Sequence, residues 1–572
     1  MCGVSGIWDH KKSNINELLY IVKSMANSLK SRGPDSSGDW ICRENGIALS
    51  HSRLSIIDLS ELGNQPMISE NGNYIIVFNG EIYNHKYLRK ILKKAYKKDL
   101  LKGSSDTEIL LSMIQIFGIR ETLIKSVGMF ALAIWDKDKQ TLTLARDRFG
   151  EKPLYWGWDD IVQKNKFIFT SDLIALKSIP FANLTTNHET LSIYLNRGYI
   201  PAPYTIFKEI NQLKPGYLLE VSKRDSSDLE VKSFKWWDTQ EEIMKQKINY
   251  ESDEEALFNL EEQLIETIKE QSISDVPLGI FLSGGIDSSL ITALFQFYNK
   301  RPIESFTIGF PELSKSSKGF NEGNYAKIVS NYLGTNHNQI ELSNNEAKRI
   351  IPNLSKIYSE PFADSSQIPS HLICKEAKDN GISVALTGDG GDELFGGYNR
   401  HIYCPSIQRL FSFIPKNIRN LIAEILLFIP SSSEGLNLDK RQKLAELIRA
   451  SNSLESAYKS ITSCWDNPSE ILSGKNHCNL SYLKNLFSNQ EYLSAEEKIM
   501  FVDILSYLPN DILVKMDRAS MATSFETRAP FLDHRIAQIA WRMSPSMKIR
   551  KIRGIKYGKY ALRSILKKYL PT

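Results

Sequence analysis

The rhythm of the chain changes once, near residue 256, and that change sets its architecture. Before it, apolar strand-like runs follow one another: Ile47 to Ile57, Tyr74 to Phe78, Phe130 to Trp135, Leu142 to Ala145 and Phe167 to Thr170. Asp136-Lys137-Asp138-Lys139, between two of them, reads as a hairpin turn. Helical spacing occupies Asn16 to Leu29 and Thr107 to Phe117. Antiparallel hairpins with helices outside predict an α+β domain. From Ala256 strand and helix alternate. Helices are predicted at Ala256 to Gln271, Ser289 to Tyr298, Tyr325 to Leu333 and Ser366 to Lys378. Strands fall between and after them at Leu278 to Leu282, Ser305 to Gly309, Asn338 to Leu342 and Ser383 to Thr387. This alternation predicts an α/β domain with a doubly wound parallel sheet. Beyond Tyr398 the pattern is largely helical. The predicted units are a domain over 2–220, a polar linker over 221–255 and a second domain over 256–572.

A chain of 572 residues buries sizeable cores without disulfide or metal staples. Its formal charge of +5 is small, and Lys and Arg are dispersed among Asp and Glu, which argues against nucleic acid as a partner. The basic run Lys90 to Lys98 alternates with Ile91, Leu92 and Tyr96 and reads as the solvated face of a helix. Six cysteines, at 2, 42, 374, 404, 464 and 478, form no CxxC pair, so neither a zinc site nor a disulfide framework is supported. Unpaired thiols suit a reducing cytosol, and a cytoplasmic location is expected. No apolar run approaches the length of a membrane span. The start has no basic segment ahead of an apolar core, so it does not read as a signal peptide. Cys2 at the extreme N-terminus therefore needs a reason.

With the initiator Met removed, Cys2 carries nucleophile and base in one residue. Its thiol attacks, and its α-amine, with an ordinary pKa of about 7.7–8.0, shuttles the proton. Alone, an inert cysteine explains position 2 as well. Four further segments bear on it: Arg32 to Gly38 (RGPDSSG), His51 to Asp58 (HSRLSIID), Phe78 to Asn84 (FNGEIYN) and Ser105 to Glu108 (SDTE). Arg53 is suited to gripping a carboxylate bidentately, or else forms a surface ion pair. Asn79-Gly80 between strands is usually a type I′ turn. Asp106 fits a helix N-cap.

In the second half, the buried strand ending at Leu282 runs into Ser283-Gly284-Gly285-Ile286-Asp287-Ser288-Ser289 and then a helix. Backbone amides at a helix start, glycines and three hydroxyls make an anion cradle, and Asp287 adds a carboxylate that a phosphate-bound magnesium needs. A serine capping the helix is the plainer alternative. No lysine follows the glycines, so this is not a Walker loop. A second glycine-rich acidic loop, Thr387 to Tyr398, follows the strand Val384 to Leu386, and parallel strand ends on one sheet edge bring it close to the first.

The ordered set CGVSG, RGPDSSG, RLSIID, NGEIYN and SDTE resembles the class II glutamine amidotransferase domain, an N-terminal-nucleophile hydrolase. The resemblance implies two antiparallel sheets between helical layers and attack of Cys2 on the side-chain amide of glutamine. It implies an oxyanion hole from the Asn79 side chain and the Gly80 N–H. Arg53 would hold the α-carboxylate, and Glu81 with Asp106 the ammonium, in a pocket that also includes Leu54, Ser55, Ile56 and Ile57. The two glycine loops, with EPFADSSQ (Glu360 to Gln367), KMDRASM (Lys515 to Met521) and ETRAPFLD (Glu526 to Asp533), resemble the ATP pyrophosphatase domain of glutamine-dependent asparagine synthetases. By that resemblance Leu282, Ile308, Thr387 and Gly388 line ATP, and Ser283, Gly284, Gly285, Asp287, Ser288 and Ser289 hold the pyrophosphate. Asp287 and Asp392 would bind magnesium. Asp389, where many members have Glu, would act on the aspartyl-adenylate, and Lys559 would neutralise charge at the reacting phosphate. The implied partners are glutamine, aspartate and ATP, with a homodimer allowed. The alternatives are the same chemistry on another carboxylate, such as a cell-surface polysaccharide or secondary metabolite, a glutaminase with an impaired synthetase half, or a non-catalytic sensor. Members of the family usually continue for several tens of residues beyond a Leu-Pro like Leu570-Pro571.

Overall fold

A computed structural model describes the chain except residues 1, 12–14, 98–100, 161, 163, 225–227, 246–249, 311–322, 429–437, 473–480, 489, 491 and 572. Lys98, Cys478 and the middle of the polar stretch 222–228 lie outside the described residues.

Two six-stranded antiparallel sheets make up the first domain. One contains β1 (Gly3–Asp9), β2 (Ser36–Cys42), β3 (Ile47–Arg53), β8 (Tyr155–Trp158), β9 (Lys166–Thr170) and β10 (Ile210–Gln212), in the order β10-β8-β9-β1-β3-β2. The other contains β4 (Met67–Ile68), β5 (Tyr74–Ile82), β6 (Gly128–Asp136), β7 (Thr141–Arg146), β11 (Tyr217–Lys223) and β12 (Leu229–Lys235), in the order β12-β11-β7-β6-β5-β4. Strand periodicity sorts the side chains. Val4, Trp8, Ile75, Val77 and Trp135 meet between the sheets, with the Trp8 and Trp135 rings edge to face at 5.0 Å. The alternate residues Ile76, Phe78 and Leu132 face outward onto the helices His85–Tyr96 and Asp106–Phe117. Ile7 and Ala48 face the helix Ile15–Ser28. Both sheets are therefore buried on both faces in a helix–sheet–sheet–helix stack, as the resemblance implied.

The second domain is built on a parallel sheet in the order β15-β14-β13-β16-β17. Its strands are β13 (Leu278–Phe281), β14 (Glu304–Gly309), β15 (Asn336–Glu341), β16 (Val384–Leu386) and β17 (Glu526–Arg528). The helices Asp253–Gln271 and Ile286–Tyr298 bury Leu260, Leu264, Leu290 and Leu294 with Ile280 and Leu386 on one face. Helix Gln367–Asp379 places Cys374 and Ala377 against Phe306 and Ala385 on the other.

Two sequence expectations need correcting. Residues 229–235, read as linker, form β12 and pair with β11; its outer residues are charged and exposed, so it lacks the apolar signal of an inner strand. Asn79-Gly80 is no turn but the middle of β5, opposite Ala131 and Phe130. The region beyond Tyr398 is largely helical, as expected, and also supplies β17 to the sheet edge, with Glu526 beside Val384. Of the basic run, Lys90, Lys93 and Lys94 lie exposed on the helix His85–Tyr96, and Lys97 follows its end. No helix among the described residues is long and apolar enough to cross a membrane, and the described cysteines are free thiols.

Candidate active sites

Cys2 stands at the start of β1, 8% exposed, where the two sheets and the second domain converge. Its amide N donates to Asn79 Oδ1 at 2.8 Å, and its Sγ lies 3.9 Å from the Leu54 carbonyl. β5 fixes Asn79 so that its oxygen faces this amide while its Nδ2 is buried without a partner. An unpartnered buried donor beside a thiol is costly unless something else uses it. Burial pushes the Cys2 thiol up, opposed by the N-terminal ammonium and by Arg53. His51, next along β3, is pushed down to about 3 by burial, with the Arg53 and N-terminal charges adding to it. It is a weak base.

Arg53 is buried, not a surface ion pair. Its guanidinium donates to the Ser60 carbonyl at 2.8 Å, to Asn64 Oδ1 at 3.0 Å and to the Asp58 carbonyl, so it also braces the loop that follows Ile57. Ser105, not Asp106, caps the helix Asp106–Phe117. Asp106 Oδ2 accepts from the Ile82 amide at 2.8 Å. Glu81 and Asp106 are both raised by burial, Glu81 further by Glu526 and Asp106 beside it. Glu81 Oε2 is buried without a hydrogen-bond partner. Two buried carboxylates, with Arg528 3.6 Å from Glu81 offsetting part of their charge, suit an ammonium group. Leu54, Ile56 and Tyr83 pack with Met129, Val384 and Met521 in an apolar cluster spanning both domains, with Ile57 at its edge. The Ser55 amide donates to Asp35 at 2.7 Å.

Nothing in the local residue pattern indicates that the second domain enters this site. Glu526 on β17 faces it: burial works against ionisation, yet the N-terminal ammonium and Arg528 hold its carboxylate down to about 2. Arg528 donates to Glu526 at 2.7 Å and stands 3.6 Å from Glu81. Both lie in the ETRAPFLD string, which was legible only as a resemblance.

At the other site, β13 runs into the Ser283–Ser289 loop. Gly284 has φ +79°, and a Cβ there would lie 2.6 Å from the Ala326 amide nitrogen. Gly285 is the N-cap of helix Ile286–Tyr298 and no side chain caps it, which removes the serine-cap alternative. The Ser283 and Ser288 hydroxyls lie 3.0 Å apart, and Ser289 Oγ is buried without a partner. The second loop packs on the first: a Cβ at Gly391 would lie 2.6 Å from Asp287 Oδ2. Lys559 Nζ sits between Asp287 Oδ2 at 2.7 Å and Asp392 Oδ1 at 2.6 Å. Burial pushes Asp287 up to about 7, with Lys559 pulling it down and Asp392 and Asp389 pushing it up. Asp287 Oδ1 is buried without a partner. Burial also raises Asp389, which accepts from Thr387 Oγ1 at 2.7 Å. A cavity opens here, lined by Leu282, Ser283, Gly285, Asp287, Ser288, Ile308, Thr387, Gly388, Asp389, Asp392 and Lys559. Gly284 and Ser289 lie behind this lining. Among the described residues no three His, Cys, Asp or Glu side chains are grouped to hold a metal.

Residues 1–237 match the family described as glutamine amidotransferase domain, and residues 259–572 match the family described as asparagine synthase. A Bacillus subtilis protein named asparagine synthetase [glutamine-hydrolyzing] 1 is 31% identical, covering 100% of this chain and 85% of its own length. A Methanocaldococcus jannaschii protein named putative asparagine synthetase [glutamine-hydrolyzing] 2 is 32% identical over 93% of this chain and 100% of its own. A Penicillium rubens protein named amidase chyE is 27% identical over 100% of this chain and 87% of its own. With both halves matched in order and relatives about 30% identical over nearly the whole chain, this chain belongs to the glutamine-hydrolysing asparagine synthetase family, ligases that form carbon–nitrogen bonds with glutamine as the amide donor.

Proposed function

We propose that the enzyme releases ammonia from glutamine at Cys2, adenylates the β-carboxylate of aspartate with ATP, and joins the two to give asparagine, AMP and pyrophosphate. The observation that carries the reading is a pair of prepared sites in one chain. One has a buried thiol beside the unpartnered Asn79 Nδ2; the other is a glycine loop facing the Asp287–Lys559–Asp392 bridge.

In the first half, the freed α-amine of Cys2 takes the thiol proton and Sγ adds to the amide carbon of glutamine. Asn79 Nδ2 and the Gly80 N–H meet the developing oxyanion. Collapse expels ammonia, protonated by the same amine, and water then releases glutamate from the thioester. Arg53 faces the substrate α-carboxylate, and Glu81 with Asp106 its ammonium. Arg53→Ala is expected to raise the glutamine KM more than it lowers kcat. Charged hydrogen bonds worth about 1.5–3 kcal/mol correspond to roughly tenfold to hundredfold. Unchanged glutamine dependence in steady-state assays would leave Arg53 as a loop brace only.

In the second half, an acceptor carboxylate oxygen attacks the α-phosphorus and pyrophosphate leaves. Ammonia then attacks the mixed anhydride and AMP leaves. The amides at the start of helix Ile286–Tyr298 and the Ser283 and Ser288 hydroxyls hold the leaving phosphates. Lys559 offsets the charge that grows there. Magnesium fits this donor set, since it is commonly held by one or two carboxylates plus substrate phosphates. Asp287, with its unpartnered Oδ1, and Asp392 would hold it, and it would supply further charge neutralisation. Asp389 is proposed to face the adenylate. The apolar cluster of Leu54, Ile56 and Met129 with Val384 and Met521 suits passage of neutral ammonia shielded from water. A cytoplasmic setting belongs to the same reading, since free thiols suit a reducing compartment.

The product nucleotide is expected to be AMP, read by chromatography of reactions with glutamine and aspartate; stoichiometric ADP would sink the adenylation step. The relative named amidase chyE keeps a second reading open, in which the same steps act on another carboxylate. Incubation with glutamine, magnesium-ATP and a panel of carboxylates, with mass analysis of products, decides between them. Amide formation on a carboxylate other than aspartate would overturn the first.

A further inference from the structure

We propose that Asp517, in the second domain, is a positioning residue for glutamine hydrolysis and acts on Cys2 through Arg32. The inference rests on the reading of Cys2 as nucleophile. Asp517 accepts from Arg32 Nη1 at 2.9 Å and Nη2 at 3.0 Å, a bidentate pair across the two domains, and both residues are 2% exposed. With both Nη groups committed, Arg32 turns Nε to the Cys2 carbonyl at 3.3 Å. The fork geometry means that the carboxylate sets the direction of that third bond.

This carbonyl matters because a terminal residue is joined to the chain on one side only. Once Met1 is removed, Cys2 keeps a single, planar peptide bond, and rotation about its Cα–C bond swings both amine and thiol. The Asn79 contact holds the amine end and Arg32 holds the carbonyl end. Attack requires both groups aimed at one carbon, and small misplacements are expensive in rate.

The rest of helix Leu513–Met521 supports the same segment. Arg518 pairs with Asp172 and donates to the Ser171 carbonyl at 3.4 Å, while Ser171 Oγ accepts from the Val4 amide at 3.1 Å. Toward the other site, Lys515 pairs with Asp364 at 3.1 Å and Met516 lines the cavity. One helix thus spans the ground between the two sites, and its Asp517 carboxylate reaches Cys2 through Arg32.

Steady-state glutamate release would be measured for the parent and for Asp517→Asn, Arg32→Gln, the double variant and Arg32→Lys, with thermal midpoints for each. Each single change to an amide should lower kcat about tenfold or more while glutamine KM stays within about threefold. The double should be no slower than either single, because the two residues act as one unit. Arg32→Lys keeps the charge pair but loses the fork, so it should recover stability yet remain slow. Parental kcat in folded Asp517→Asn, multiplicative losses in the double, or parental kcat in Arg32→Lys would each overturn the proposal. If loss of the charge shared by Arg32 and Lys152 unfolds Asp517→Asn, even with Asp172 3.7 Å from Arg32 Nη1, Arg32→Lys decides alone. A parent that releases no glutamate overturns the reading of Cys2, and this inference with it.

Discussion

Cys2→Ala is expected to lower glutamate release from glutamine to background while ammonia-dependent amide formation stays within about twofold of the parent. The substitution removes one sulfur from a buried position and leaves the Asn79 contact to the backbone amide intact. The fold should therefore be little disturbed, while the attacking atom is gone. Removing the nucleophile of a hydrolase that works by covalent catalysis typically costs roughly a millionfold in kcat. The second site contains neither Cys2 nor Asn79 and has its own cavity. Supplying ammonium at a pH that leaves some of it neutral bypasses the first half. Loss of both activities in a folded variant would contradict separate sites.

Asp287→Asn should have the opposite signature, with glutamate release kept and amide and AMP formation lost. Asn preserves the volume but not the charge, which the Lys559 contact at 2.7 Å depends on. Lys559 would then lean on the charge of Asp392 alone, and the side chain at 287, buried in the phosphate loop, could no longer carry a negative charge. Removal of one preorganised charge from such a site costs about a hundredfold to a thousandfold in kcat. Amide formation at the parental rate would remove Asp287 from the machinery. A parent that hydrolyses glutamine but makes neither AMP nor ADP would instead favour a glutaminase whose second domain is impaired.

Long elements with clear periodicity were legible from the residues, and short or displaced ones were not. The hairpin around Lys137 to Gln140 and the alternation from Asp253 to Leu386 emerge because apolar spacing there matches strand or helix. β17 is three residues, Glu-Thr-Arg, with no apolar member, and its pairing to β16 is a long-range event that local pattern does not encode. Asn79-Gly80 carries the local signature of a turn, but nine residues of β5 paired to β6 override it. At the candidate sites, residue identities came from ordered strings. Their physical condition came only with the fold: Asn79 with a spare donor, Arg53 bracing its own loop, Lys559 between two acids. Glu526 and Asp517 were visible as letters, but nothing in their neighbourhoods placed them beside a cysteine at the far end of the chain.

The position of β17 also has a meaning in time. A ribosome completes the antiparallel sheets, and with them Cys2, Arg53 and Asn79, long before it reaches Glu526 and Arg528. Those two side chains face the glutamine pocket only after the edge strand has docked beside Val384. Domains commonly fold as units during synthesis, the N-terminal one first. On the proposed reading, a nascent chain therefore holds Cys2 in an unfinished pocket until the parallel sheet is complete, and the order of translation becomes an order of competence.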